Sequence, residues 1–217
     1  MVETRVTYGE PGQAIADAAA NEAGALIAMA THGRTGIPRM MLGSVADQVL
    51  LAGASPLLLF RPKPGSAGPA RAPRHIIVPL DGSPFSEQAL PMAAYLGRTL
   101  RAKVLLARVV SVHPALVAAP MMSREGAEFY PEPGPDIRAY LDDRVHSLCM
   151  DHVNTDSVLL EGEAGAELTR LASTTEESLT VTTTHGRSGI RRTVLGSVAN
   201  QLVRGAGTPV LVLRGHD

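Results

Sequence analysis

The residues whose types and spacing best suit chemistry lie at 185–199, HGRSGIRRTVLGSVA, where glycines follow an apolar β-like run and precede a helix-forming stretch. Gly186, Gly189 and Gly196 mark a backbone that can approach a ligand with no Cβ in the way. Ser197 opens the periodic run of Val198, Leu202 and Val203, a position that predicts an N-cap hydroxyl. The N–H groups of a helix's first turn and the positive end of its dipole form an anion site. Arg187, Arg191 and Arg192 add charge beside it. The chemistry expected is the retention of a phosphate. Taken alone, the same residues also describe an ordinary strand-to-helix turn with solvated arginines.

The chain carries this stretch twice. Residues 32–48 read HGRTGIPRMMLGSVADQ and residues 185–201 read HGRSGIRRTVLGSVANQ, at a constant offset of 153. The correspondence runs without a gap from Gly9 and Gly162 to Pro56 and Pro209, so a structural unit is repeated and not only a motif. The period is a domain's, well beyond the roughly 20–50 residues of solenoid repeats.

Positioning the glycine loop requires a strand before it and a helix after it. Apolar patterning predicts strands at 4–8, 25–31 and 57–60 and helices at 12–21 and 44–51. Residues 62–74, PKPGSAGPARAPR, have the composition of a linker. Beyond them, strands are expected at 75–80, 103–110, 157–161, 179–184 and 210–213, with helices at 86–100, 136–152, 165–174 and 197–204. Residues 111–135 form a loop long enough to act as a flap or binding loop. The fold class is α/β: a doubly wound five-stranded parallel sheet of order 3-2-1-4-5 with helices on both faces, plus a partial second copy of the same fold. Such sheets bind ligands at the carboxyl ends of the strands where the order reverses. If the order is 3-2-1-4-5, that point lies between the strand ending at Asp81 and the strand ending at His185. The run SLTVTTTHG at 178–186 is more polar than its counterpart ALIAMATHG at 25–33, which argues against deep burial of that strand.

Composition narrows the partners. The 217 residues are 45% hydrophobic, which suits one or two globular domains. A net charge of −1, no tryptophan and no long basic run argue against nucleic acid, so an anion must be held locally. Cys149 is the one cysteine and is expected on the buried face of a helix. Without a signal peptide or an apolar run of about 18 residues, the chain reads as cytoplasmic and without a membrane partner.

These features resemble the universal stress protein family over residues 75–217, and over the C-terminal half of a second copy at residues 1–61. The family's nucleotide-binding members carry G-x2-G-x9-G-[ST] after the fourth strand and an aspartate after the first. Gly186, Gly196 and Ser197 match the later part of that motif, and Asp81 in VPLDGS matches the aspartate. The resemblance implies that Pro79 and Val109 flank an adenine, and that Gly186, Gly196, Ser197 and Val198 contact phosphates or ribose. Thr183, His185 and Arg187 fall within the same site, and ATP with Mg²⁺ is the implied cofactor. Thr183 stands where the motif has its first glycine, and its branched side chain either narrows the approach or hydrogen-bonds the nucleotide. In the first copy Gly33, Gly43 and Ser44 form a vestigial loop whose partner aspartate and first two strands are absent. Family members pair through their last strands, which implies that 57–60 lies against 210–213, within the chain or in a homodimer. The organisation implied is an incomplete repeat at 1–61, a linker at 62–74 and a complete domain at 75–217.

The implied function is a nucleotide-binding stress-response sensor or regulatory module. The alternative is a dimerisation or interaction module of the same fold that binds no nucleotide. A slow ATPase is a third reading, less favoured because the loop offers no evident base or metal-binding carboxylate. His146 with Asp142 or Asp143 has metal-like helical spacing but reads as a solvated helix face. Gly-Ser-Val-Ala at 196–199 does not fit a nucleophile elbow.

Overall fold

A computed structural model describes residues 2–30, 43–52, 55–61, 71–110, 136–184 and 195–215. In chain order the elements are α1 (Pro11–Ala20), β1 (Ile27–Ala30), α2 (Ser44–Ala52), β2 (Leu57–Phe60), β3 (His75–Pro79), α3 (Pro84–Glu87) and α4 (Leu90–Leu100). They continue with β4 (Lys103–Val110), α5 (Ile137–Met150), β5 (Thr155–Glu161), α6 (Ala164–Thr174), β6 (Ser178–Thr183), α7 (Ser197–Gly205) and β7 (Val210–Leu213). All seven strands join one mostly parallel sheet, in the order β1-β2-β7-β6-β3-β4-β5.

The five strands from β3 onward are mutually parallel and stand in the expected 3-2-1-4-5 order. β2 adds to the outer edge of β7 antiparallel, with Leu57 opposite Val212, Leu58 opposite Leu211 and Leu59 opposite Val210. β1 then pairs parallel to β2. Shifted by 153, Leu57 corresponds to Val210 and Leu59 to Val212, so the pairing maps onto itself and is locally two-fold about Leu58 and Leu211.

Alternation along each strand feeds two cores, one on each face of the sheet. On one face Ala46, Val49, Leu57 and Leu59 pack with Leu168, Leu202, Val203 and Val210, so residues from both ends of the chain share a core. On the other, Ile76, Val78, Val104 and Leu106 lie beneath Ala93 and Ala94 of α4 and Leu141 and Leu148 of α5.

Several expectations are corrected. Residues 4–8 form no strand, and Tyr8 is 98% exposed. The position-equivalent strand β5 is held by β4, and the described residues of 1–61 contain no counterpart of β4 to hold 4–8. The polar run at 178–183 is buried throughout, because β6 is central with β3 on one side and β7 on the other. Threonine's branched Cβ suits such a strand, and Ser178 Oγ is satisfied by donating to the Ala172 carbonyl at 3.0 Å. Cys149 is exposed, since the positions of α5 that face the core are Leu141 and Leu148. The helix expected at 86–100 is split into α3 and α4, and Ser83 caps the first by accepting a hydrogen bond from the Ser86 N–H. The loop at 111–135 lies outside the described residues.

Candidate functional site

β3 and β6 lie side by side, and the helices that follow them, α4 and α7, pack on opposite faces of the sheet. Their divergence opens a cavity of about 320 Å³, within the range of small-molecule sites. Pro79, Leu80 and Asp81 form one wall, Ala107 to Val109 of β4 the next, and Thr182 to Thr184 with Gly196, Ser197 and Val198 the opposite side.

Asp81 is held by the turn that follows it. Its Oδ1 accepts from the Ser83 N–H at 2.9 Å and from the Ser83 hydroxyl at 2.5 Å, while its own N–H donates to Ser86 Oγ at 3.3 Å. Gly82 suits that turn. Its φ of 78° is left-handed, and an added Cβ would lie 2.7 Å from the Arg108 guanidinium. Arg108 is buried, donates to the Leu80 carbonyl at 3.4 Å, and lies 6.0 Å from the centre of the Tyr140 ring. The Tyr140 hydroxyl donates to Glu87 at 2.8 Å, and burial together with that carboxylate pushes its pKa well above the usual phenol range. Sequence reasoning missed Arg108. The signal was an arginine inside the otherwise apolar run of KVLLARVV.

On the opposite side the Gly196 N–H donates to the Thr184 carbonyl at 2.9 Å, which returns the chain to the end of β6 and starts α7. A Cβ at Gly196 would approach that carbonyl to 3.1 Å. This bond holds Gly196 in a non-helical conformation, φ −53° and ψ 153°, so Gly196 is the N-cap and Ser197 the first helical residue. The expected capping role of the Ser197 hydroxyl is therefore corrected: no side chain caps α7 among the described residues. Among the described residues no side chain caps its first-turn N–H groups, which is the arrangement that favours an anion.

Pro79, Asp81, Val109, Thr183, Gly196, Ser197 and Val198 thus line a single cavity. His185, Gly186 and Arg187, with Arg191 and Arg192, lie outside the described residues, as does Gly33. Gly43, with φ 109°, and Ser44 stand at the start of α2. The strand before them, β1, is at the sheet's edge, and no counterpart of β3 and Asp81 faces them among the described residues. Those residues hold no cluster of three or more His, Cys, Asp or Glu side chains arranged for a metal. None of their helices is long and apolar enough to cross a membrane.

A doubly wound sheet with an aspartate turn and a helix start facing each other across its switch point defines an α/β protein of the doubly wound class. Residues 1–61 and 73–214 match the universal stress protein family, and the chain belongs to it. It is 30% identical over 147 residues to a universal stress protein of Methanocaldococcus jannaschii, a match covering 65% of this chain and 82% of that one. A universal stress protein from Archaeoglobus fulgidus has a similar structure, with a TM-score of 0.66 and 18% identity over 96% of this chain and 67% of that one. Another, from Lactobacillus plantarum, gives a TM-score of 0.52 with 18% identity over 67% of this chain and 100% of that one.

Proposed function

We propose that this protein binds one adenine nucleotide, ATP with Mg²⁺, between β3 and β6, and acts as a stress-response sensor or regulatory module. The observation that carries this reading is the meeting of Asp81 with Gly196, Ser197 and Val198 across one cavity of about 320 Å³. Pro79 and Val109 flank the adenine, and Asp81 accepts hydrogen bonds from the nucleoside. The first turn of α7 and the Ser197 hydroxyl take the phosphates, with His185, Gly186 and Arg187 completing the loop. Mg²⁺ is held chiefly through phosphate oxygens and water, as is usual for this ion. Asp81 is the one carboxylate among the described lining residues, and its Oδ1 is engaged by Ser83. The site is therefore built for retention more than for hydrolysis, and slow ATPase activity is the less favoured reading.

The test is an equilibrium titration of the full chain with ATP and Mg²⁺, in the wild type and in Asp81→Ala and Gly196→Val. Saturable binding that weakens at least tenfold in both folded variants supports the site, and equal affinity removes it. The interaction-module reading is favoured by one observation: Thr183, buried in the cavity wall, occupies the place of a motif glycine.

We read residues 1–61 as an incomplete repeat, 62–74 as a linker and 75–217 as the complete domain, an arrangement of tandem type. Two observations support this. The β2–β7 pairing is locally two-fold under the 153-residue offset. Gly12 of α1 packs against Gln48 of α2, and Gly165 of α6 packs against Gln201 of α7, pairs that correspond at the same offset. β2 occupies the outer edge of β7 within the chain, which favours the internal form of last-strand pairing over a homodimer built on that edge.

A further inference from the structure

We propose a second anion site, in the groove between α6 and α7, that takes inorganic phosphate or a phosphate monoester. The groove is a cavity of about 490 Å³ lined by Arg61 just beyond β2, Gly165 and Thr169 of α6, and Gln201 and Arg204 of α7. Arg61 Nη1 donates to the Arg204 carbonyl at 3.2 Å, which brings both arginines to the same groove. Arg204 Nε and Thr169 Oγ1 are buried and have no hydrogen-bond partner. Two unsatisfied buried donors beside one cavity call for an acceptor. A tetrahedral oxyanion supplies several at once, and guanidinium groups match its geometry.

The neighbouring carboxylates leave that role open. Asp47 feels the charge of Arg204, which opposes the rise in its pKa caused by burial, but it leaves Nε unbonded. Glu163 caps α6 by accepting from the Gly165 and Ala166 N–H groups, so the arginines and Thr169 hold the anion and the helix end does not. Arg61 belongs to the segment before the linker and Arg204 to the domain after it, so the bound anion ties the two together.

The test is a titration of the full chain with inorganic phosphate, followed by the arginine side-chain Nε–H resonances in ¹⁵N-labelled protein and by the melting temperature. A saturable shift of the Arg204 Nε–H resonance and a rise in Tm are expected. Arg204→Met weakens phosphate binding at least tenfold and Thr169→Val severalfold. Arg61→Met serves in the same role should Arg204→Met fail to fold. Absence of a saturable shift, or unchanged affinity in the folded arginine variants, would each overturn the proposal.

Discussion

Leu59→Ala is the sharpest test of how the first 61 residues are held. Leu59 is 0% exposed and sits opposite Val210, which is likewise 0% exposed. Both belong to the core that includes Val49, Leu202 and Val203. Truncating a fully buried leucine costs about 2–5 kcal/mol, the transfer of the lost carbons plus the cavity left behind. In a chain of this size each kcal/mol moves the melting temperature by roughly 2–4 °C, so a cost of about 3 kcal/mol lowers Tm by roughly 6–12 °C. Phe60 is 37% exposed and has no partner on β7, so Phe60→Ala is expected to cost less than about 1 kcal/mol. The assay is thermal unfolding followed by circular dichroism and calorimetry in both variants. One cooperative transition, displaced far more in Leu59→Ala than in Phe60→Ala, is the expected result. A displacement below about 2 °C for Leu59→Ala, or a separate early transition, would refute a shared core.

Other consequences follow from local geometry. A Cβ at Gly12 would lie 2.2 Å from Gln48 Cβ, which cannot swing away, whereas at Gly165 the closest atom is the mobile Gln201 Oε1. Gly12→Ala should therefore lose about 1–3 kcal/mol in urea unfolding and Gly165→Ala clearly less; equal losses would contradict this. Gly82→Ala should weaken ATP binding and lower stability by about 1–2 kcal/mol, because its φ of 78° disfavours a side chain and Arg108 must shift to admit a Cβ; calorimetric titration of a folded variant with unchanged affinity would count against it. Burial raises the Asp47 pKa above its unfolded value, with Arg204 opposing the shift. The folded state then holds that proton more tightly, so the group's contribution to stability is greatest below the unfolded pKa and declines as pH rises through the folded one. Asp47→Asn, which copies Asn200 at the equivalent position, should flatten that decline in unfolding free energy measured against pH; an unaltered slope would exclude the effect.

Much of this fold was legible because it rests on periodicity. The apolar runs at 57–60, 103–110 and 210–213 coincide with β2, β4 and β7, and alternation of strands and helices is enough to indicate a parallel α/β sheet. What escaped depends on neighbours that no local pattern contains. Residues 4–8 have the side chains of a strand, but no strand pairs with them among the described residues. The threonines of β6 read as half-solvated and are buried because both adjacent positions in the sheet are filled. Cys149 looked apolar enough for the core, but α5 turns Leu141 and Leu148 inward instead. The cavity lining was legible in part: Asp81 and Gly196 to Val198 meet at one cavity, as the topology implies, while the rest of the glycine motif lies outside the described residues. Arg108 was not, since a charge within an apolar strand carries no local sign of whether it faces solvent or a cavity wall.

The central claim is one nucleotide site per chain, in the complete domain. Native mass spectrometry of the full chain, titrated with ATP and Mg²⁺, tests it most directly. The account predicts saturation at one ATP per chain, lost in Asp81→Ala. No nucleotide-bound species at millimolar ATP, or saturation at two per chain, would contradict it.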